Sequence, residues 1–265
     1  MGNFEFKKKF GQNFLSDKSL LEEIVEKAGV TSDDIVVEIG AGQGALTEFL
    51  SKKAKKVYSF EIDKDLFGFL ETKFANTNVE FVFEDIMSYD DDRLQRLVGG
   101  EFLLVANLPY YITSPIITRF LKNKNMKSLT VMVQEEVADR IVASPKTKDY
   151  GVLSIICQIY GKPQKVIRVD RSKFNPVPKV DSAVVSIEKN EQCDKKEYDK
   201  FISFVKRAFA MRRKKLSTNL ETKYLSKNDI ETILSQNGFS PMTRAEELSI
   251  SDFKLLYEVL NIKNS

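Results

Sequence analysis

Four consecutive residues, Asn107-Leu108-Pro109-Tyr110, have the groups needed to methylate an exocyclic base amine. The N6 nitrogen of adenine is a poor nucleophile because its lone pair is delocalised into the ring, so a methylating site must accept hydrogen bonds from that amine. The Asn107 side-chain carbonyl and the Leu108 backbone carbonyl can supply two acceptors. Pro109 favours an extended Leu108, which directs its carbonyl outward, and Tyr110 offers a flat face for a base. A strand followed by a proline turn explains the same residues without chemistry.

Three further features stand at the ends of predicted strands. Residues 38–44 read Glu-Ile-Gly-Ala-Gly-Gln-Gly, a glycine-rich turn between a strand and a helix that lets the backbone approach a ligand closely. Glu61 ends the next strand and can accept hydrogen bonds from ribose hydroxyls, as it also would in a nicotinamide dinucleotide site. Asp85 ends the third strand and can accept from the amine of a cofactor adenine. Its alternative role is the N-cap of a short helix.

Short apolar runs alternate with amphipathic segments over residues 1–190, a pattern typical of an α/β fold with a mainly parallel, doubly wound sheet. The predicted strands are Ile35–Gly40, Val57–Ile62, Val79–Glu84, Phe102–Asn107, Leu129–Gln134, Val152–Tyr160 and Ala183–Ile187. The predicted helices are Asp17–Ala28, Ala45–Lys53, Lys64–Phe74, Pro115–Leu121 and Glu135–Ala143. The last two strands, joined by a proline-containing loop, predict an antiparallel edge. Open sheets of this kind bind ligands at the carboxyl ends of their strands.

The chain changes character after a charged linker around residues 190–197. Beyond it the β-branched runs disappear, and apolar residues such as Phe201, Val205 and Ala208 recur at helical spacing. We therefore predict two domains, 1–190 and 191–265, of which the second is a small all-α domain of three to five helices.

Composition limits the class of protein. The 265 residues include no histidine, which excludes Ser-His and Cys-His catalysis, and only two cysteines, which argues against a zinc site. Cys157 and Cys193 do not resemble a disulfide pair, we find neither a secretory signal nor a membrane-spanning run, and we expect a cytoplasmic protein. The net charge is +3, and clusters of basic residues favour a polyanionic partner. These clusters are Lys7–Lys9, Lys52–Lys56, Lys122–Lys127 and Arg212–Lys215.

Longer segments of the chain resemble the ribosomal RNA adenine dimethyltransferase family. They are Phe-Gly-Gln-Asn-Phe-Leu at 10–15, Asn-Leu-Pro-Tyr-Tyr-Ile-Thr-Ser-Pro at 107–115 and Phe-Asn-Pro-Val-Pro-Lys-Val-Asp-Ser at 174–182. Arg-Arg-Lys-Lys-Leu at 212–216 and Arg-Ala-Glu-Glu-Leu-Ser at 244–249 extend the resemblance over nearly the whole chain. Within the family the chain is most similar to the bacterial small-subunit enzymes.

The resemblance implies a Rossmann-like class I methyltransferase domain, with an N-terminal substrate and cofactor segment, followed by an RNA-binding helical domain. It also implies S-adenosylmethionine as the cofactor, with no metal. The residues expected to bind the cofactor are Gln12, Asn13, Leu15, Gly40, Gly42, Glu61, Asp85 and Asn107. The residues expected to act on the base are Asn107, Leu108, Tyr110 and Phe174. Phe174 would pack on the base opposite Tyr110, whereas without the family it reads as a loop residue that fills the core.

The implied reaction is direct transfer of methyl groups to N6 of two adjacent adenines near the 3′ end of 16S small-subunit rRNA, giving N6,N6-dimethyladenosine. The partner would be the pre-30S particle, bound by a monomer during small-subunit biogenesis. The residues expected to contact RNA phosphates are Arg207, Arg212, Arg213, Lys214 and Lys215.

Three alternatives remain open. The first is an Erm-type 23S rRNA adenine dimethyltransferase, which shares the fold but more often carries isoleucine in place of Leu108. The second is a non-catalytic ribosome-assembly or transcription factor, which would be free to lose Asn107 or Tyr110. The third is a nicotinamide dehydrogenase, disfavoured because Gly44 comes one residue early for the dinucleotide pattern.

Overall fold

The structure is a computed structural model that describes residues 14–190 and 195–262. The described strands are β1 (Phe14–Leu15), β2 (Ile35–Ile39), β3 (Lys56–Phe60), β4 (Val79–Val82), β5 (Phe102–Asn107), β6 (Met126–Gln134), β7 (Gly161–Val169), β8 (Phe174–Asn175) and β9 (Ser182–Lys189). The α-helices are α1 (Lys18–Lys27), α2 (Ala45–Lys53), α3 (Phe67–Lys73), α4 (Asp91–Val98), α5 (Thr113–Leu121), α6 (Glu135–Val142), α7 (Val152–Tyr160), α8 (Lys195–Ala208), α9 (Leu216–Leu220), α10 (Lys227–Gln236) and α11 (Ile250–Ile262).

Seven strands form one sheet in the order β4-β3-β2-β5-β6-β9-β7. The first five in this order are parallel to one another, and β9 is antiparallel to both β6 and β7. The central strands are continuous apolar runs because helices cover both faces of a parallel sheet; Val36, Val37 and Leu104 are fully buried. The predicted Rossmann-like fold and its antiparallel edge are confirmed.

The strand order reverses between β2 and β5. The chain proceeds from β2 outward through β3 and β4, then returns to place β5 on the other side of β2. Glu38 pairs with Val105 in the parallel register, so Gly40, two residues on, reaches the level of Asn107. A Cβ atom added to Gly40 would lie 3.5 Å from the Asn107 carbonyl oxygen. Such a reversal opens a crevice at the carboxyl ends of the strands, where ligands of these sheets bind.

The prediction of a strand at Val152–Tyr160 is wrong, because these residues form helix α7. A run of nine mostly apolar residues is compatible with a buried helix as well as a buried strand, and periodicity alone does not separate them. Two polar side chains support the helix: the Ser154 hydroxyl donates to the Arg140 carbonyl at 2.5 Å, and the Gln158 amide donates to the Ala143 carbonyl at 2.8 Å. The outer antiparallel strand is instead the polar segment β7, in which Pro163 is tolerated at the sheet edge.

The described residues group into two compact units. One contains the residues up to Ala138 together with Gly161–Lys189, and the other contains Asp139–Tyr160 together with the residues from Asn190 onward. Helix α7 therefore groups with α8–α11, which sequence analysis did not predict. Four α-helices, α8–α11, follow Asn190 among the described residues. None of the described helices has both the length and the hydrophobicity required to cross a bilayer.

Candidate active site

A cavity in the first unit lies at the carboxyl ends of β2, β3, β4 and β5. Each of these strand ends contributes a predicted site residue to its wall. The predicted residues that line it are Leu15, Gly40, Gly42, Glu61, Asp85, Asn107, Leu108 and Tyr110. Gln12 and Asn13 lie outside the described residues.

The glycine turn takes a left-handed backbone at the position where α2 begins. Gly44 is the N-cap of α2 with a φ of 73°, and its N–H donates to the Ala41 carbonyl at 2.8 Å. A Cβ atom at Gly44 would lie 2.5 Å from a ring carbon of Phe74. Both the backbone angle and the missing side chain are therefore required for the turn to pack on α3.

Glu61, which follows the last residue of β3, stabilises the glycine turn by a hydrogen bond. Its Oε2 accepts the Gly42 N–H at 2.8 Å, and its Oε1 accepts the N–H groups of Ile62 and Asp63 at 2.8 and 2.9 Å. Each carboxylate oxygen has about two acceptor sites. Oε1 is therefore saturated, and Oε2 retains one site for a hydroxyl in the cavity.

Asp85 has an oxygen for each of the two roles considered from the sequence, helix N-cap and ligand acceptor. Its Oδ1 accepts the Met87 N–H at 2.8 Å, so the residue is the N-cap of a short 3-10 helix. Its Oδ2 has no hydrogen-bond partner among the described residues, and Asp85 also lines the cavity. One oxygen serves the cap, while the other remains available to a ligand.

Asn107 and Leu108 both line the cavity, and each has an acceptor that is not used within the described part of the chain. The half-buried Asn107 side-chain amide makes no hydrogen bond to any described residue. The Leu108 side chain is buried and its N–H donates to the Met132 carbonyl at 3.3 Å, whereas its own carbonyl has no partner in the described part of the chain. Polar groups this close to the core are normally hydrogen-bonded within the protein. Two unpaired acceptors on adjacent residues therefore indicate a site for a ligand with N–H donors.

Of the two predicted aromatic residues, Tyr110 lines the cavity and Phe174 does not. Tyr110 lines the cavity, its Oη lies 3.0 Å from the Ser182 Oγ, and burial raises the pKa of its phenol. Phe174 is only 3% exposed, lies in the hydrophobic core with Leu15 and Leu21, and does not line the cavity. Phe174 thus fills the core in this structure, from strand β8 and not from a loop, and its contact with the base stays a prediction.

Sequence analysis missed the apolar residues of the cavity wall. Ile62, Ile86 and Met87 line it, and Ile62 is 39% exposed. The sequence does contain a signal for Ile62 and Ile86: an acidic residue followed by isoleucine occurs at two neighbouring strand ends, as Glu61-Ile62 and as Asp85-Ile86. Apolar side chains beside a carboxylate provide walls for a flat heterocycle and an acceptor for its polar edge.

Sequence analysis also missed a buried carboxyl group behind the glycine turn. Glu38 is 1% exposed, and its Oε2 accepts hydrogen bonds from the hydroxyls of Thr47 at 2.7 Å and Ser59 at 2.6 Å. Its Oε1 has no hydrogen-bond partner among the residues that the structure describes. Burial raises the pKa of Glu38 from 4.5 to about 7, partly offset by the two hydroxyls.

We expect Glu38→Gln to remove a pH dependence of stability. Between pH 4.5 and about 7 the folded protein retains a proton on Glu38 that the unfolded chain has released, so wild-type stability falls as pH rises through this interval. Glutamine mimics the protonated carboxyl and does not ionise. Urea unfolding at pH 5 and pH 8 measures the free energy of unfolding of both proteins. Relative to the wild type, the variant should be more stable at pH 8 than at pH 5, by on the order of 2–3 kcal/mol. Parallel profiles for the two proteins would contradict this.

The sheet order, the glycine turn and the free acceptors after β5 together define a class I methyltransferase. Comparison with known proteins gives the family. The model of the ribosomal RNA adenine dimethylase family matches residues 3–262, and the chain belongs to that family.

Three similar proteins span nearly the whole chain. It is 44% identical to ribosomal RNA small subunit methyltransferase A of Caldanaerobacter subterraneus subsp. tengcongensis, over 96% of this chain and 97% of that protein. Among solved structures, a dimethyladenosine transferase from Plasmodium falciparum is 27% identical, with a TM-score of 0.78 over 95% of this chain and 98% of that one. The 23S rRNA methyltransferase ErmE is 28% identical, with a TM-score of 0.72 over 94% of this chain and 100% of that one.

Proposed function

We propose that this protein transfers methyl groups from S-adenosylmethionine to N6 of two adjacent adenines near the 3′ end of 16S small-subunit rRNA, giving N6,N6-dimethyladenosine. The observation that carries the proposal is the pair of unpartnered acceptors on Asn107 and Leu108, which lie on the wall of a cavity whose other walls suit a nucleoside. An adenine amine has two N–H groups, one for each acceptor.

The cavity residues fit the proposed cofactor. The remaining acceptor site on Glu61 Oε2 would take a ribose hydroxyl, and Asp85 Oδ2 would take the amine of the cofactor adenine between Ile62 and Ile86. The glycine turn would let the amino-acid part approach the backbone at Gly40 and Gly42. From the family resemblance, Gln12, Asn13 and Leu15 would complete the site. When bound, the cofactor supplies a methyl group that is already electrophilic.

The chain then needs to position and polarise the base. Asn107 and Leu108 accept the two amine N–H groups, which favours a more tetrahedral nitrogen whose lone pair is available for attack. Tyr110 provides the stacking face that holds the base in line. After transfer the nitrogen is cationic and acidic, so its proton leaves to water or to the Asn107 carbonyl. No histidine base is needed, and the chain has none.

The second transfer makes a different demand on the same acceptors. A monomethylated amine has one N–H, so at most one of the two hydrogen bonds remains and the other acceptor must face a methyl group. Phe174 would support the base opposite Tyr110 only if its side chain left the hydrophobic core. In the structure it is buried in the core.

The small subunit is the substrate favoured by the relatives. The protein that is 44% identical is named for the small subunit, whereas the large-subunit enzyme ErmE is 28% identical. We propose the pre-30S particle as the partner, bound by a monomer in the cytoplasm. An Erm-type activity on 23S rRNA is the second candidate, since ErmE shares the fold over its full length.

The predicted RNA contacts divide into two groups. Arg207, Arg213 and Lys214 are exposed and make no ion pair with any described residue. Arg212 instead donates to the carbonyls of Lys148 at 2.5 Å and Tyr150 at 3.1 Å and lies 3.3 Å from Glu246 Oε2, and Lys215 lies 3.4 Å from Glu231 Oε1. We propose that Arg207, Arg213 and Lys214 bind RNA phosphates. Arg212 instead mainly stabilises the fold of the second unit, through its contacts with Lys148, Tyr150 and Glu246.

Reversing the free charges should weaken RNA binding without affecting the cofactor. We expect Arg213→Glu with Lys214→Glu to weaken binding of small-subunit particles by at least about 10-fold and to reduce its salt dependence. Lys27→Glu with Lys162→Glu changes the net charge equally at two exposed lysines outside the basic clusters and serves as the matched control. Filter binding at several salt concentrations measures both pairs. Equal losses would indicate a general charge effect and contradict a local phosphate contact.

The substrate is tested by parallel incubations with small subunits and with large-subunit RNA. Purified protein is incubated with labelled S-adenosylmethionine and either undermethylated small subunits or large-subunit RNA. We expect label in the small subunit alone. Label only in the large-subunit RNA would move the protein to the Erm type, and label in neither, with cofactor bound, would favour a non-catalytic assembly factor.

A further inference from the structure

The Tyr110 ring is tied to a distant strand by one hydrogen bond. Tyr110 begins the 3-10 turn Tyr110–Ile112, and its Oη lies 3.0 Å from the Oγ of Ser182, 72 residues away in the sequence. Tyr110 is partly exposed in the cavity, whereas Ser182 is fully buried. The bond therefore joins a side chain on the cavity wall to a fully buried residue of the sheet.

The antiparallel direction of β9 is what brings Ser182 to this site. Because β9 runs opposite to β6, its first residue lies at the sheet edge where the parallel strands end. Ser182 pairs with Gln134, the last residue of β6, and on its other side with Val169, the last residue of β7. A residue held between two strands is a rigid anchor for a side chain on a neighbouring turn.

We propose that Ser182 is a positioning residue, whose hydroxyl holds the Tyr110 hydroxyl in place and so fixes where the ring projects into the cavity and the angle at which the adenine amine meets the methyl donor. The inference rests on the proposed function. Without such a bond, a partly exposed tyrosine can exchange between χ1 rotamers, which swings the whole ring, and small misplacement of a reacting group is costly in rate. The second transfer, with at most one amine hydrogen bond left, depends most on the ring.

A double-mutant cycle tests the coupling. Ser182→Ala and Tyr110→Phe each remove one partner and keep the rest of the side chain, so each should lower kcat by about 10-fold and raise the fraction of monomethyladenosine in the product. The double variant should be no slower than either single variant, because the same bond is lost only once. Affinity for S-adenosylmethionine should be unchanged in all three.

Ser186→Ala is the matched control. Ser186 stands four residues further along β9, and its hydroxyl lies 3.2 Å from that of Thr130, a similar bond away from the cavity. We expect it to leave the rate and the product ratio unchanged. Independent, multiplicative losses in the double variant, or an equal loss in Ser186→Ala, would overturn the inference while the wild type remains active. A wild type that methylates no ribosomal RNA would overturn the proposed function and this inference with it.

Discussion

Asn107→Ala is expected to lower the rate of methyl transfer by at least about 100-fold while leaving the protein folded. The Asn107 amide is one of two acceptors for the adenine amine, and it has no hydrogen-bond partner among the described residues. Its removal therefore costs transition-state stabilisation but no hydrogen bond of the fold, so the free energy of unfolding should change by less than about 0.5 kcal/mol. Single-turnover methylation and urea unfolding measure the two quantities separately.

Asn78→Ala provides the control for this variant. Asn78 precedes β4, at the opposite edge of the sheet, and its amide donates to the Ala54 carbonyl at 2.7 Å. Its removal should lower stability by about 1 kcal/mol and leave the rate of transfer unchanged. Near-normal turnover by Asn107→Ala, or a loss matched by Asn78→Ala, would show that Asn107 is not the acceptor we assign.

Gly44→Ala is expected to destabilise the first unit by several kcal/mol and to weaken cofactor binding. The new side chain would be held at a φ of 73°, which costs an alanine about 1–2 kcal/mol. Its Cβ would also meet the Phe74 ring at 2.5 Å, and overpacking of a filled core adds about 1–3 kcal/mol. Phe74 is packed with Leu66 and Leu70, so the ring cannot move aside without disturbing that cluster.

Gly99→Ala separates the two contributions. Gly99 has a φ of 77°, but a Cβ there would meet no atom within 4 Å. Gly99→Ala should therefore lose only the free energy that a positive φ costs an alanine, about 1–2 kcal/mol, and it should retain its affinity for the cofactor. Urea midpoints should therefore rank wild type, Gly99→Ala and Gly44→Ala in that order, whereas only Gly44→Ala should bind S-adenosylmethionine more weakly. Equal losses in the two variants would mean that the contact with Phe74 contributes nothing.

Much of the sheet could be predicted because its strands are short, separate apolar runs. Glu61, Asp85 and Asn107 were recognised from their position after such runs, and parallel packing then brings them to one edge. Helix α7 was not recognised because a buried helix and a buried strand share the same apolar composition, and β7 was missed because an edge strand can be polar.

The parts of the site that sequence could not predict depend on long-range contacts. The bond between Tyr110 and Ser182 arises from the antiparallel return of β9, and the Glu38 network arises from the packing of α2 on β3. Phe174 belongs to a proline-rich motif of the family, which predicts a contact with the base. Its burial in the core accompanies the pairing of β8 with β1, in which Phe174 lies opposite Leu15. No local pattern encodes these partners.

The most direct test of the account is the identity and position of the methylated nucleoside. Undermethylated small subunits are incubated with the protein and labelled S-adenosylmethionine, and the rRNA is then digested and analysed fragment by fragment. We predict N6,N6-dimethyladenosine at two adjacent positions near the 3′ end. Label at another atom of the base, or on another nucleoside, would contradict the role assigned to Asn107 and Leu108 as acceptors for the adenine amine.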